Sequence, residues 1–298
     1  MSARNVFYIV GPTASGKSEL AAEVAQRVNG EIVSADAFQV YRGFDLLPAK
    51  PDGATLSKCP HHMIGVVDTA EEMNVARFLE LAQRAIADIH SRGKLAVVVG
   101  GTGLYVRALT HGLSAIPASD PELRERLSNM QLQELLGKLD ELDPDSDVDR
   151  DNPRRVIRAI EICMATGRPA SAQRKNSYPI GSTPGFFVFR ERDDLYARID
   201  RRVEEMFAAG VEREVRDAGA VSATASQMLG LTEIQALNRG EISRADCIAK
   251  IQQATRHYAK RQLTWFRRQD NFETLNLTGR TTAEAIELIE GKARLISR

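Results

Sequence analysis

No apolar run in this chain approaches the roughly 18 residues that a membrane-spanning helix needs, so no helical membrane insertion is expected. The first residues, Met1-Ser2-Ala3-Arg4, lead straight into an apolar segment, and no secretion signal is visible. Cysteine is scarce: Cys59, Cys163 and Cys247 lie far apart and form no pair at metal-ligand spacing. They read as reduced thiols, which suits the cytoplasm. Net charge is also missing, since 40 basic and 40 acidic side chains cancel. That balance argues against indiscriminate polyanion binding but leaves local patches open. There is no internal repeat and no low-complexity tail.

Apolar content of 43% is that of an ordinary globular protein, and 298 residues suffice for one or two domains. Short apolar runs mark strands at Val6 to Val10, Glu31 to Ser34, Leu95 to Val99 and Phe186 to Phe189, with a weaker one at Phe272 to Leu277. Helical patterns alternate with them, which implies a parallel sheet. One such pattern spans Glu71 to His90, and Thr69 with Glu72 matches a capping box at its start. The alternation breaks after Leu109. From about Gly112 to Pro184 the pattern is helical, with Ser119-Asp120-Pro121-Glu122 opening one helix and Arg154 to Met164 forming another. The expected architecture is α/β, a P-loop-type parallel sheet flanked by helices. Residues 1–111 and 185–298 form this core, and residues 112–184 are a helical insertion.

"FYIVGPTASGKSELA", residues 7–21, is strand, glycine loop and helix start. Gly11, then Gly16-Lys17-Ser18, fits the phosphate-cradling pattern. Glycine permits unusual dihedrals, the loop N–H groups point inward, and the helix N-terminus adds its dipole. Lys17 adds a point charge, and Ser18 can bind the metal that bridges phosphate oxygens. A triphosphatase needs a further acidic residue at a strand end, holding Mg²⁺. The strand Leu95 to Val99 runs instead into Gly100-Gly101-Thr102-Gly103, and no Asn-Lys-x-Asp guanine-reading motif occurs. A diphosphate is the expected ligand.

Asp36, in "EIVSADAFQVY", lies just beyond the carboxyl end of a strand, where open α/β sheets place ligands. It can be a functional acid, a helix N-cap or a Mg²⁺ carboxylate. Gln39 offers an amide for a base edge, and Tyr41 a ring that either stacks or packs in the core. Gly100, Gly101 and Gly103 either admit a close neighbour or make a tight turn, with Thr102 presenting a hydroxyl. Arg150, Arg154, Arg155 and Arg158 form one basic cluster, and Arg190, Arg192, Arg198, Arg201 and Arg202 another. A third lies on "ATRHYAKRQLTWFRR", residues 254–268. There Arg256, Lys260 and Arg267 share one side of an amphipathic helix, while Ile251, Thr255, Tyr258, Gln262 and Phe266 form its inward stripe. Such faces contact RNA or are simply solvated. Pro60-His61-His62 has no third metal ligand nearby in sequence and reads as structural.

Together these motifs resemble the bacterial tRNA dimethylallyltransferases, also called tRNA isopentenyltransferases. The matching stretches are "GPTASGKSELA", "SADAFQVYRGFD" with "AKP", "PHH", "VVVGGTGLYVRAL", "NPRRVIRAIE", "LYARIDRRVEEMF", "QMLGLTEI" and "TRHYAKRQLTWFRR", in family order from Gly11 to Arg268. The resemblance implies transfer of a five-carbon group from dimethylallyl diphosphate to N6 of the adenosine 3′ of the anticodon, with Mg²⁺ present. It implies a flipped target base and a helical insertion that closes on the anticodon stem-loop. On this reading Asp36 is the catalytic base and Thr102 orients the amine. Gly11, Thr13, Ala14, Ser15, Gly16, Lys17 and Ser18 bind diphosphate with Arg198 or Arg202, and Ser18 also meets the metal. Asp36, Ala37, Phe38, Gln39, Arg154, Arg155, Arg158, Gln227, Arg256 and Lys260 are the expected tRNA contacts. Two residues depart from the family pattern, Pro48 where Thr is common and Leu231 where Tyr is common. A kinase, a transferase acting on free adenylate, and a non-catalytic RNA-binding module are the competing expectations.

Overall fold

Five consecutive apolar residues, Val6–Val10, have no polar face, and such a strand must be covered on both sides. In a computed structural model of the chain, describing residues 6–113, 117, 119–173, 183–269 and 271–296, that run is the inner strand β1. The first half continues with α1 (Lys17–Arg27), β2 (Gly30–Ser34), α2 (Gly53–Leu56), β3 (His61–His62), α3 (Val75–Ser91), β4 (Leu95–Gly100) and α4 (Gly103–His111). Four helices follow: α5 (Pro121–Ser128), α6 (Leu132–Leu142), α7 (Pro153–Thr166) and α8 (Ala170–Gln173). The chain then runs through β5 (Gly185–Phe189), α9 (Arg192–Ala208), α10 (Val211–Asp217), α11 (Leu231–Asn238) and α12 (Arg244–Arg267). It ends with β6 (Glu273–Asn276) and α13 (Thr282–Ile296).

The strands form one six-stranded sheet in the order β3-β2-β4-β1-β5-β6, every pair parallel. Alternation along β1 assigns its side chains. Phe7 and Ile9 pack with Leu20, Val24 and Ile289 from α1 and α13. Val6, Tyr8 and Val10 face the other layer, with Phe78 from α3, Phe207 from α9 and Phe266 from α12. β1 sits between β4 and β5, with β2 and β3 on one side of it and β6 on the other, so the chain's progress across the sheet reverses beside it. A crevice opens outside the carboxyl ends at such a point.

Two local expectations change. α3 starts at Val75 with Asn74 as its cap, whose side chain accepts from the N–H groups of Ala76 and Arg77. Thr69 and Glu72 instead bond the backbone of Ala220 and Ala223. His61 and His62 form a short edge strand that the sequence pattern did not reveal.

The chain divides into two compact units, one made of Met1–Thr110 with Gly181–Arg298 and the other of His111–Ile180. The second is helical throughout its described elements, with a core of Leu127, Leu135, Leu139, Val156, Ile160 and Cys163. Asp120 caps α5 ahead of Pro121, as its sequence suggested. Inside this unit the buried Glu161 carboxylate takes Ser119, Arg124 and Arg158 as partners.

Candidate active site

The loop after β1 is held between two neighbouring strand ends. Gly11 N–H donates to the Gly100 carbonyl at 3.1 Å, and a Cβ on Gly11 would lie 2.1 Å from the Val188 carbonyl oxygen. Ala14 and Gly16 take left-handed φ values of 60° and 91°, which turn the loop into the first turn of α1. Ser15 is fully buried, and its hydroxyl has no hydrogen-bond partner among the described residues. Lys17 Nζ rests on the Pro12 carbonyl at 3.2 Å. Burial pushes the pKa of its ammonium down to about 8, with Asp36 holding it up and Arg202 adding to the fall.

Three arginines grip the loop. Arg190 Nε donates to Ser15 O and Arg198 Nε to Ala14 O, both at 2.9 Å, while Arg202 Nη1 donates to Thr13 Oγ1 at 2.8 Å. Arg198 and Arg202 both line the loop cleft with Lys17, Ser18 and Asp36. Arg202 Nε is buried and has no hydrogen-bond partner among the described residues. Burial and the neighbouring Arg198 both lower its pKa, against the pull of Asp36. Crowded, desolvated cations with spare donors are a receptor for an anion of high charge.

Across this cleft stands Asp36. Its Oδ1 accepts the N–H groups of Phe38 (2.9 Å) and Gln39 (3.3 Å), so it caps the turn after β2. The capping role is real, but it uses one oxygen and leaves the carboxylate lining the cleft. Thr102 Oγ1 accepts the Ala37 N–H at 3.0 Å and also bonds Tyr258, whose pKa burial raises far beyond its ordinary value. Tyr41 is entirely buried and bonds Thr224 through its hydroxyl, which makes it a core residue. The Gln39 side chain is fixed by Ser34 Oγ (3.0 Å) and by the Ala49 carbonyl (3.0 Å). Beside Asp36, Thr13 and Arg202, an apolar pocket continues between Phe38, Leu47, Met206, Met228 and Ile251.

Gly100, Gly101 and Gly103 all lack positive φ, so a tight turn is not why they are glycine. Close approach is the reason. A Cβ on Gly100 would meet the Ala35 carbonyl at 2.2 Å, one on Gly101 the Gln262 amide at 2.3 Å, and one on Gly103 the Trp265 ring at 2.5 Å. The neighbours are protein groups from the residue that follows β2 and from α12.

Sequence reasoning missed three site residues. Arg190 lacked a motif of its own. Gln262 sits in the inward stripe of a helix read for its basic face. His61 lines a pocket with Lys17, Ser18 and Asp36, and its Nε2 is buried without a partner among the described residues, while His62 pairs with Glu31 at 2.7 Å.

The other expected tRNA contacts are surface groups of unequal freedom. Arg154, Gln227 and Lys260 are exposed. Arg155 pairs with Asp149 at 3.4 Å, and Arg158 is tied to Glu161 and the Pro117 carbonyl. Arg256 is held by both carboxylate oxygens of Asp200 and stacks over Tyr196. Among the described residues no group of three or more His, Cys, Asp or Glu could hold a metal ion. The oxygens lining the cleft beside the loop include the Ser18 hydroxyl and the Asp36 carboxylate. That hard, sparse donor set suits an ion that keeps waters and takes phosphate oxygens, which is the habit of Mg²⁺.

Comparison with known proteins places these features in a family. The IPP transferase family profile matches residues 39–269, and an isopentenyl transferase profile matches residues 4–59. The chain is 43% identical over 286 residues to tRNA dimethylallyltransferase 1 of Citrifermentans bemidjiense, covering 92% of each chain. It is 40% identical over 264 residues to tRNA dimethylallyltransferase of Akkermansia muciniphila, covering 88% of this chain and 90% of the relative. Among solved structures, the full-length tRNA isopentenylpyrophosphate transferase of Bacillus halodurans superimposes with a TM-score of 0.70 at 34% identity, over 99% and 98% of the two chains. A eukaryotic dimethylallyltransferase acting on tRNA gives 0.79 at 27% identity, over 94% of this chain and 77% of the other.

Proposed function

This chain belongs to the tRNA dimethylallyltransferase family, and from that premise we propose how its cleft carries the reaction. The protein transfers the dimethylallyl group from dimethylallyl diphosphate to N6 of the tRNA adenosine 3′-adjacent to the anticodon, position 37, and releases diphosphate. The observation that carries the reading is the meeting of Asp36 with Lys17, Ser18, Arg198 and Arg202 in one cleft. The loop N–H groups and these cations bind the diphosphate and receive its growing charge. The adenine amine is a weak nucleophile because its lone pair is delocalised into the ring. As that pair bonds to the allylic carbon, the carbon–oxygen bond breaks and its electrons leave with the diphosphate. Asp36 takes the amine proton, and Thr102, held by Ala37 and Tyr258, orients the amine. Mg²⁺, when bound, would be held by Ser18 and phosphate oxygens and would supply further neutralising charge. The base leaves its stack to reach this cleft, costing about a few kcal/mol. We assign the helices of the His111–Ile180 unit to the anticodon arm, and place the enzyme with its tRNA in the cytoplasm.

The test is Asp36→Asn. An asparagine carbonyl can still accept the Phe38 and Gln39 N–H groups, so the turn should persist, but the amide cannot take a proton at neutral pH. General-base assistance is worth about 10²- to 10⁴-fold, or roughly 3–5.5 kcal/mol. Single-turnover transfer to an anticodon stem-loop should fall by that order, with donor and RNA affinities within a few-fold of the parent. Transfer at the parental rate would remove Asp36 from the role of base. A loss confined to diphosphate affinity, restored by excess Mg²⁺, would make it a metal ligand.

A further inference from the structure

Donor and acceptor halves of this site are built on different segments, and catalysis needs them in register to a fraction of an ångström. The phosphate loop follows β1, whereas Thr102 belongs to the glycine loop after β4. One buried side chain spans the two. Gln262, on α12 and 6% exposed, accepts the Thr13 N–H through Oε1 at 2.9 Å and donates from Nε2 to the Gly101 carbonyl at 2.8 Å. A Cβ on Gly101 would sit 2.3 Å from that Nε2, so the glycine is what admits the amide. One helical turn further on, Trp265 closes over Gly103 in the same manner. The Thr13 N–H is thereby spent on protein, which leaves Thr13 facing the cleft with a hydroxyl held by Arg202.

We propose that Gln262 is a positioning residue for transfer, a clamp that sets the distance between the donor loop and the loop carrying Thr102. The inference rests on the reading of the cleft given above and deepens it. An amide is required because one end must accept and the other donate. A glutamate would set a carboxylate oxygen against the Gly101 carbonyl, and a leucine would fill the space while making neither bond.

The experiment compares Gln262→Leu and Gln262→Glu with the parent, well below their melting temperatures. With donor and anticodon stem-loop both saturating, single-turnover transfer should fall about 10²-fold, as expected for a displacement of about 1 Å. Affinity for dimethylallyl diphosphate alone should stay within about threefold, because the loop still carries its own donors. Added to Thr102→Ala, Gln262→Leu should cost less than about threefold more, since the clamp acts through the Thr102 loop. Parental transfer by Gln262→Leu, donor affinity falling as far as the rate, or losses that multiply in the double variant would each overturn the clamp. The parent protein gives an independent check by hydrogen exchange. The Thr13 amide should be protected without donor, and free exchange there would also overturn the proposal. A parent that transfers nothing to RNA would instead refute the functional reading, while the Thr13 measurement would still judge the clamp.

Discussion

At the residue scale, Lys17 is an ammonium that its surroundings make easy to deprotonate. Burial lowers its pKa to about 8, against an ordinary value near 10.5. Only the charged form attracts diphosphate. Below pH 8 the free protein therefore presents the full charge, and above it that charge is progressively lost before the donor arrives. Donor affinity should be flat from about pH 7 to 8 and then weaken by up to about tenfold per pH unit, until proton uptake on binding limits the trend. Calorimetric titration with dimethylallyl diphosphate across that range measures it. Lys17→Ala should bind weakly throughout and lose the slope. A parental affinity that holds constant to about pH 9.5 would show that Lys17 does not lose its proton near pH 8 in the free protein, or that its charge does not govern donor binding.

Single elements show what the sequence could and could not disclose. The loop after β1 was legible because its chemistry is local: the glycines, lysine and serine that make it lie within a few positions. α12 was legible only in part. Its periodicity and basic face stand out, but Thr255, Tyr258 and Gln262 acquire meaning from residues far away in sequence, Gly101 being 161 positions from Gln262. β3 went unseen because two residues carry no periodicity, and its pairing with β2 is made in space. The segment after β2 is another case. Glu214, on α10, accepts the N–H groups of Asp45, Leu46 and Leu47 at 2.7–2.8 Å. The turn so fixed carries the Ala49 carbonyl that anchors Gln39. Glu214→Ala should cost about 1–3 kcal/mol, the usual toll of stranding N–H groups that had a charged acceptor. Amide exchange at residues 45–47 should rise, and RNA affinity should fall more than donor affinity. Unchanged exchange there would mean that the turn is held by other contacts.

Over the whole molecule, zero net charge coexists with a polyanionic substrate, and the ion pairs decide where positive charge remains. Several of the arginines that look like an RNA-binding array are already engaged. Arg150 bonds both oxygens of Asp140, Arg158 and Arg124 share the buried Glu161, and Arg256 is held by Asp200. A paired guanidinium can neutralise a phosphate only after its carboxylate is displaced, so its net gain is small. Lys260 and Arg154 are exposed with no carboxylate in ion-pair contact among the described residues, and they should carry more of the counterion release. The observable is the slope of log K against log salt, about 0.9 per phosphate neutralised on a duplex and about 0.7 on a single strand. Anticodon-arm RNA should therefore bind with a steep negative slope despite the neutral sequence. Lys260→Ala and Arg154→Ala should each reduce its magnitude by roughly 0.7–0.9. Arg256→Ala should change the slope by less, because a guanidinium already paired with Asp200 accounts for little of the counterion release. That variant should instead lower affinity with the slope nearly parallel to the parent. An Arg256→Ala slope that falls by a full phosphate, with Lys260→Ala leaving it unchanged, would reverse this assignment and show that RNA outcompetes Asp200 for the guanidinium.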